Sequence, residues 1–412
     1  MNEEQFKRNL EKYAELTVYT GINIQKNQTL VINASISAAD FVRIAARKAY
    51  EAGAKNVHVE WIDDQLTLIK YLHAPEEAFT EFPLWKAAGY TEMAKGDAAF
   101  LYVRATDPDL LKAVEPSRIA TANKTAAHAN REFSVFTRSS TVSWTIVAVP
   151  NPEWAIKIFP HETPEKAVEL LWEQIFRLTR ADQEDPATAW EEHLSRLEET
   201  VHYLNKKKYR RLHYKGAGTD LTIGLPEQHI WIAAGEKNGK GISFVANIPT
   251  EEVFTCPNRD EVEGTVSTTK PLNYGGNLIE NFTLTFKAGK VVDVKAEKGE
   301  EILKNLIATD EGASRLGEVA LVPHKSPISD SNLIFYNTLF DENASCHLAI
   351  GSAFPTCIEG GTGMSKEDQE KHGLNQSLTH VDFMIGSAEL DIDGETANGV
   401  REPLFRAGNW AF

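Results

Sequence analysis

Hydrophobic positions in the first half of the chain alternate between two periods. Thr29 to Ala34 (TLVINA) reads as a buried strand, and Phe41, Ile44, Ala45, Lys48 and Ala49 then recur at helical spacing until Gly53 supplies a stop. The next strand is Asn56 to Trp61 (NVHVEW), followed by another apolar run from Ala98 to Val103. Strand, helix, strand in that order predicts right-handed βαβ crossovers and a mainly parallel sheet. No GxGxxG follows the first strand, so the pattern is Rossmann-like in topology only and implies no dinucleotide site.

A further apolar strand, TVSWTIVAVP, precedes a helical region from about Pro164 to Leu204, which Asp185-Pro186 interrupts. Beyond KKKYRRLHYKGAG the pattern shifts to short alternating strands parted by Gly, Asn and Asp turns: LTIGL, HIWIAAG, NFTLTFKAG, KVVDVKA, GEVALVP and VDFMIGSAELDIDG. The expected fold class is therefore α/β. Residues 1–215 are expected to form an N-terminal βαβ-type domain with a helical linker region, and residues 216–412 a β-rich α+β domain. The basic run Lys206 to Arg211 reads as a solubilising helix end.

Composition narrows the function. Of 412 residues 42% are apolar, enough for a sizeable core, and 43 Lys plus Arg against 59 Asp plus Glu give a net charge of −16. That charge repels phosphate backbones and anionic lipid alike, so neither nucleic acid nor a membrane is an expected partner. The opening MNEEQFKRNLEKYAEL carries charges where a signal peptide needs an uninterrupted apolar region. Cys256, Cys346 and Cys357 are an odd, sparse set without a CxxC pair, which suits free thiols in a reducing compartment. A cytoplasmic location is expected.

The chemistry concentrates in the second half. His380 and Asp382 stand two apart in a strand-like run, so both side chains leave one face and can reach one metal ion. Taken alone, this HxD equally suits a histidine satisfied by a neighbouring carboxylate. Glu342 and His347 flank a polar turn that leads into an apolar strand. Glu318 sits among Leu, Val and Ala, where a carboxylate is costly to bury unless something pairs with it, and a metal ion is such a partner. Adjacent Glu251 and Glu252 point to opposite faces if extended, so at most one faces a site and the other is a surface charge. Oxygen donors with two imidazoles suit zinc, cobalt or manganese and lack the thiolates of structural zinc sites. Cys346 faces away from His347, which makes it a small buried thiol and not half of a nucleophile pair.

The blocks NIPTEEVFTCP, VEGTV, GEVALVP, FYNTLFDENASCH and HVDFMIGSAELDIDG resemble the aminopeptidase T family of bacterial metallo-aminopeptidases, which also includes enzymes called aminopeptidase S. The resemblance implies two divalent ions held by Glu252, Glu318, His347, His380 and Asp382, with Glu342 a further acidic ligand. Glu252 is preferred over Glu251 because it matches the glutamate of the IPTEEVF motif. The family likeness also implies a homodimer whose N-terminal domain limits access to the site. In GSAFPTC, Phe354 stands where the family leads one to expect a tyrosine, which leaves Tyr336 or a metal to stabilise an oxyanion. The expected reaction is hydrolysis of the first peptide bond of a peptide, with Glu318 carrying the proton to the leaving amine. Two rival readings stay open from sequence: a non-catalytic metal- or nucleotide-binding α/β protein, and a two-metal amidase or dipeptidase.

Overall fold

The computed structural model describes residues 1–105 and 107–412. Two compact units emerge, one of Met1–Val114, Ala129–Arg196 and Ala234–Thr250, the other of Glu115–His128, Leu197–Ala233 and Glu251–Phe412. In place of a single change near Lys215, the chain passes between them several times.

The first unit is built on four parallel strands in the spatial order Asn56–Ile62, Thr29–Ser35, Ala99–Arg104, Trp144–Ala148. Helix Ala39–Glu51 makes the first crossover and buries Phe41, Ala45 and Ala49 as the sequence spacing predicts, with Val42 added and Ile44 and Lys48 only half-buried. Pro164–Leu178 starts on a Thr163 cap that accepts from the Lys166 amide, and buries Ala167, Leu171, Trp172, Ile175 and Phe176. Pro186 opens the next helix, Pro186–Lys207, so Asp185-Pro186 is a true break. One helix departs from this pattern. Asp64–His73 buries no residue and leaves Leu66, Ile69 and Leu72 exposed.

The second unit holds two antiparallel sheets. Nine strands make the larger one, with Arg211–Gly216 and Thr219–Gly224 near its middle. The smaller runs His380–Met384, His347–Gly351, Leu316–Leu321, Val253–Thr255, Ile232–Ala233. Val253, Val319, Leu321, Leu348, Ile350 and Phe383 from the five-stranded sheet join Leu212, Tyr214, Leu221, Ile223, Val262 and Leu284 of the larger sheet in one apolar cluster. Every other residue of these strands is thereby committed to the core, and the residues between them take the opposite face.

Candidate metal centre

Register assigns that opposite face. Glu318 lies across from Ala349, which lies across from Asp382, so the three share one face. His347 is two residues from Ala349 and His380 two from Asp382, which brings both imidazoles to the same side. Phe254 pairs with Ala320 on that side, and Glu252 precedes Phe254 by two. Alternation by itself would give Glu318 the same face as Leu316, which is in the core. A register shift between Leu316 and Glu318 corrects this: Gly317 is an extra residue in the strand, a bulge that turns Glu318 outward. Only glycine fits there, since a Cβ would come within 2.3 Å of the Gly351 carbonyl oxygen.

The side chains meet around Glu318. Its Oε1 is 3.5 Å from His347 Nε2 and its Oε2 is 3.6 Å from His380 Nε2. His347 Nε2 is also 2.9 Å from Glu252 Oε2, and His380 Nε2 is 3.4 Å from Asp382 Oδ1. Two donor groups result, Glu252–Glu318–His347 and Glu318–His380–Asp382, with Glu318 common to both. Each ring is oriented from behind: His347 Nδ1 donates to the Ser345 carbonyl at 3.1 Å and His380 Nδ1 to that of Ser352 at 2.7 Å. Such bonds turn Nε2 towards the carboxylates, the arrangement usual for ligating histidines.

Three of these atoms, Glu252 Oε2, His347 Nε2 and Asp382 Oδ1, are buried without a hydrogen-bond partner. Buried acceptors left unpaired are costly, and a cation among them removes the cost. Charge tells the same story. Burial raises Glu318 to about 7, against the pull of His347. Burial also opposes a charged His380, but Asp382 and Glu318 outweigh it and raise the imidazole to about 9. Burial, then the charges of Asp382 and Glu252, push Glu342 well above the usual carboxylate range. Glu318, Glu342 and His380 are thus driven to hold protons while His380 and His347 hold Asp382 ionised, so the cluster draws in positive charge and the donor set fits divalent cations.

Residues 6–410 match the family described as thermophilic metalloprotease (M29). The chain belongs to that family. It is 56% identical over 409 residues to aminopeptidase AmpS of Bacillus subtilis, covering 99% of this chain and 100% of that one. It is 56% identical to aminopeptidase 2 of Geobacillus stearothermophilus, covering 99% of each. The solved structure of wild-type AmpT from Thermus thermophilus superposes with a TM-score of 0.91 at 44% identity, covering 99% of this chain and 100% of that one. As in the metalloprotease family to which it belongs, the chain uses a divalent metal.

Within this M29 chain the remaining expected residues fall as follows. Glu342 is buried beside the two groups, and Asn343 Nδ2 donates to its Oε1 at 3.3 Å. Glu251, expected at the surface, is instead 9% exposed, and its amide donates to Asn343 Oδ1 at 2.7 Å. Cys346 points to the core side, where burial raises its thiol to about 12 and the Val322 carbonyl accepts from it at 3.3 Å. Phe354 packs edge-on against the His380 ring, centroids 4.8 Å apart. Tyr336 is half-buried at a φ of 53°, and its carbonyl accepts from Asn273. Asp341 braces the same loop by accepting from the Phe335 and Asn337 amides. Sequence reasoning missed Gly317 and Asn343. A glycine next to a lone carboxylate in an apolar strand is a bulge signal that could have found the first. Nothing local marks Asn343, whose amide acts across 92 residues of chain separation.

Proposed function

We propose that the chain is an aminopeptidase that releases single residues from the free N-terminus of peptides, with two divalent ions held by Glu252, Glu318, Glu342, His347, His380 and Asp382. The observation that carries this reading is Glu318, whose two carboxylate oxygens each face a different histidine. Divalent ions, when bound, lower the pKa of water and polarise a scissile carbonyl. The protein's own groups do the rest. Glu252 and His347 would hold one ion and His380 and Asp382 the other, with Glu318 common to the two donor groups and Glu342 a further acidic ligand. Glu318 also moves the proton to the leaving amine, with Glu342 the next candidate for that step. Phe354 brings no hydroxyl to the His380 side, so Tyr336 is the side chain proposed to steady the developing oxyanion. Acidic groups around the ions favour a protonated or metal-bound α-amine, which would select for free N-termini.

Zinc, cobalt and manganese all suit these donors. A homodimer is the proposed assembly. It is supported by the exposed Leu66, Ile69, Leu72, Leu84 and Trp85, an apolar set that a monomer would leave in water. A cytoplasmic location is proposed on the three free buried cysteines. No helix among the described residues is long and apolar enough to cross a membrane. Strong acidity argues against a nucleic-acid partner.

Chromogenic aminoacyl substrates and short peptides, each with an N-acetylated counterpart, test the reaction. Cleavage of the free forms alone is expected. Comparable cleavage of the acetylated peptides would make the protein an endopeptidase or amidase.

A further inference from the structure

The parallel sheet of the first unit carries polar residues that the metal chemistry does not use. Its strand order has the first strand, Thr29–Ser35, joined to Asn56–Ile62 on one side and to Ala99–Arg104 on the other. The switch of direction therefore falls between Thr29–Ser35 and Ala99–Arg104. In open parallel sheets, ligands bind at the carboxyl ends of the strands beside such a switch. Arg104 is the last residue of its strand, and its Nη1 spans that gap to donate to Asn33 Oδ1 at 3.1 Å.

One face becomes polar at this end. Asn33 lies in register with Glu60 on one side and Tyr102 on the other, and Arg104 follows Tyr102 by two, so all four share the face. Further towards the amino ends the same face is apolar, with Val31, Phe100 and Trp144 packed against Phe133 and Ala94. Asn33, Glu60, Tyr90, Tyr102 and Arg104 are all half-buried, so each keeps part of its surface in solvent. Tyr90 packs against this face beside Tyr102, and the guanidinium carbon of Arg104 is 5.1 Å from the Tyr102 ring centre.

Arg104 is short of a counter-charge. A guanidinium has five donors, and among the described residues its one hydrogen-bond acceptor is a neutral amide oxygen. No carboxylate among the described residues pairs with it, and the nearby Glu60 is engaged by Lys86 at 2.5 Å. Burial lowers the pKa of the guanidinium, and the residues that counter this are Tyr102 and Tyr90. On a chain of net charge −16 a half-buried arginine with no carboxylate partner among the described residues is conspicuous. Its planar fork matches a carboxylate, with the two tyrosine rings as walls for an adjoining peptide or side chain.

We propose that Arg104, with Asn33, Tyr90 and Tyr102, forms a carboxylate-binding site at the switch point of the parallel sheet, which takes the C-terminal carboxylate of a short peptide. The choice of a peptide end as the source rests on the aminopeptidase reading; the carboxylate chemistry does not.

Titration calorimetry on the metal-loaded full chain tests it, with N-acetyl-trialanine as the free acid, its C-terminal amide, and inorganic phosphate as probes. The acetyl group blocks the free amine, so binding is measured without turnover. The free acid should bind about tenfold or more tightly than the amide, a difference of one charge-assisted fork. Arg104→Gln should bind acid and amide alike, and Arg104→Lys should keep part of the preference, because it holds the charge without the fork. Circular dichroism and melting check the variants. Should Arg104→Gln not fold, the wild-type comparison and protection of Arg104 from phenylglyoxal by the free acid decide. Equal affinity of wild type for acid and amide, an undiminished preference in folded Arg104→Gln, or tighter binding of phosphate than of the free acid would overturn the site. A chain that prefers the free acid but cleaves no aminoacyl substrate would keep this site and lose the aminopeptidase reading.

Discussion

The two faces of the five-stranded sheet are made by the same strands and differ in which alternate residues they take. Leu348 and Ile350 face the core, whereas His347 projects to the other side with Glu318 and Asp382. The core face binds the sheet to the rest of its unit by burial, a non-directional force that tolerates change in detail. On the opposite face acids and imidazoles are packed with unpaired polar atoms, an arrangement that lowers stability until a cation arrives. Folding and chemistry are thus separated by a period of two. At Glu318 the separation depends on one inserted glycine.

If the faces are independent, emptying the ion site should end activity and spare the fold. A strong chelator is expected to reduce peptidase activity to background, with restoration by added zinc, cobalt or manganese and little change in circular dichroism. Re-uptake should strengthen as pH rises. In the metal-free chain Glu318, raised to about 7, and His380, raised to about 9, hold protons that compete with metal, so affinity should climb through that range. Full turnover after verified metal removal would break the comparison at its root.

Substitution on the ion face should separate proton transfer from ligation. Glu318→Gln keeps the side chain's shape and is expected to lose on the order of 10² to 10⁴ in kcat. His380→Ala should first lose metal and recover partly when metal is in excess. Metal titrations of both variants, with kcat and stoichiometry read together, check this. Equal rescue of the two would reduce Glu318 to a ligand and move the proton-carrying role to Glu342.

On the core face the opposite outcome is expected. Leu348→Ala should lower stability by about 2–5 kcal/mol, the range for a buried leucine, while the folded fraction binds its usual complement of metal. Denaturant melts paired with metal analysis measure both. A selective loss of metal without loss of stability would mean that the faces are coupled.

The smallest effect belongs to Cys346→Ser, which adjoins His347 but points to the core. The Val322 carbonyl and amide already contact Sγ at 3.3 and 3.5 Å and can serve a hydroxyl, so activity should remain within about twofold. A large loss with metal retained would favour thiol chemistry.

Much of this was legible in the sequence because it is local. The runs at Thr29, Asn56 and Ala98 became parallel strands, and the HxD spacing at His380 placed both side chains on one face. The helix break at Pro186 was equally plain. The rest depends on partners far apart in the chain. That Glu318 reaches both histidines follows from the pairing of three strands and from the bulge at Gly317, which no periodicity reveals. Glu251 looked like a surface charge because alternation gives a direction and not what fills the space there. The single boundary near Lys215 followed a change of pattern, whereas compactness depends on contacts that return the chain to the first unit at Ala234–Thr250.

The central claim is that one sheet face holds two ions that share Glu318. Anomalous diffraction from a crystal of the metal-loaded protein measures it directly. Two peaks per chain are expected, both coordinated by Glu318, with Glu252 and His347 on one and His380 and Asp382 on the other. A single peak, or a pair that Glu318 does not bridge, would contradict the account.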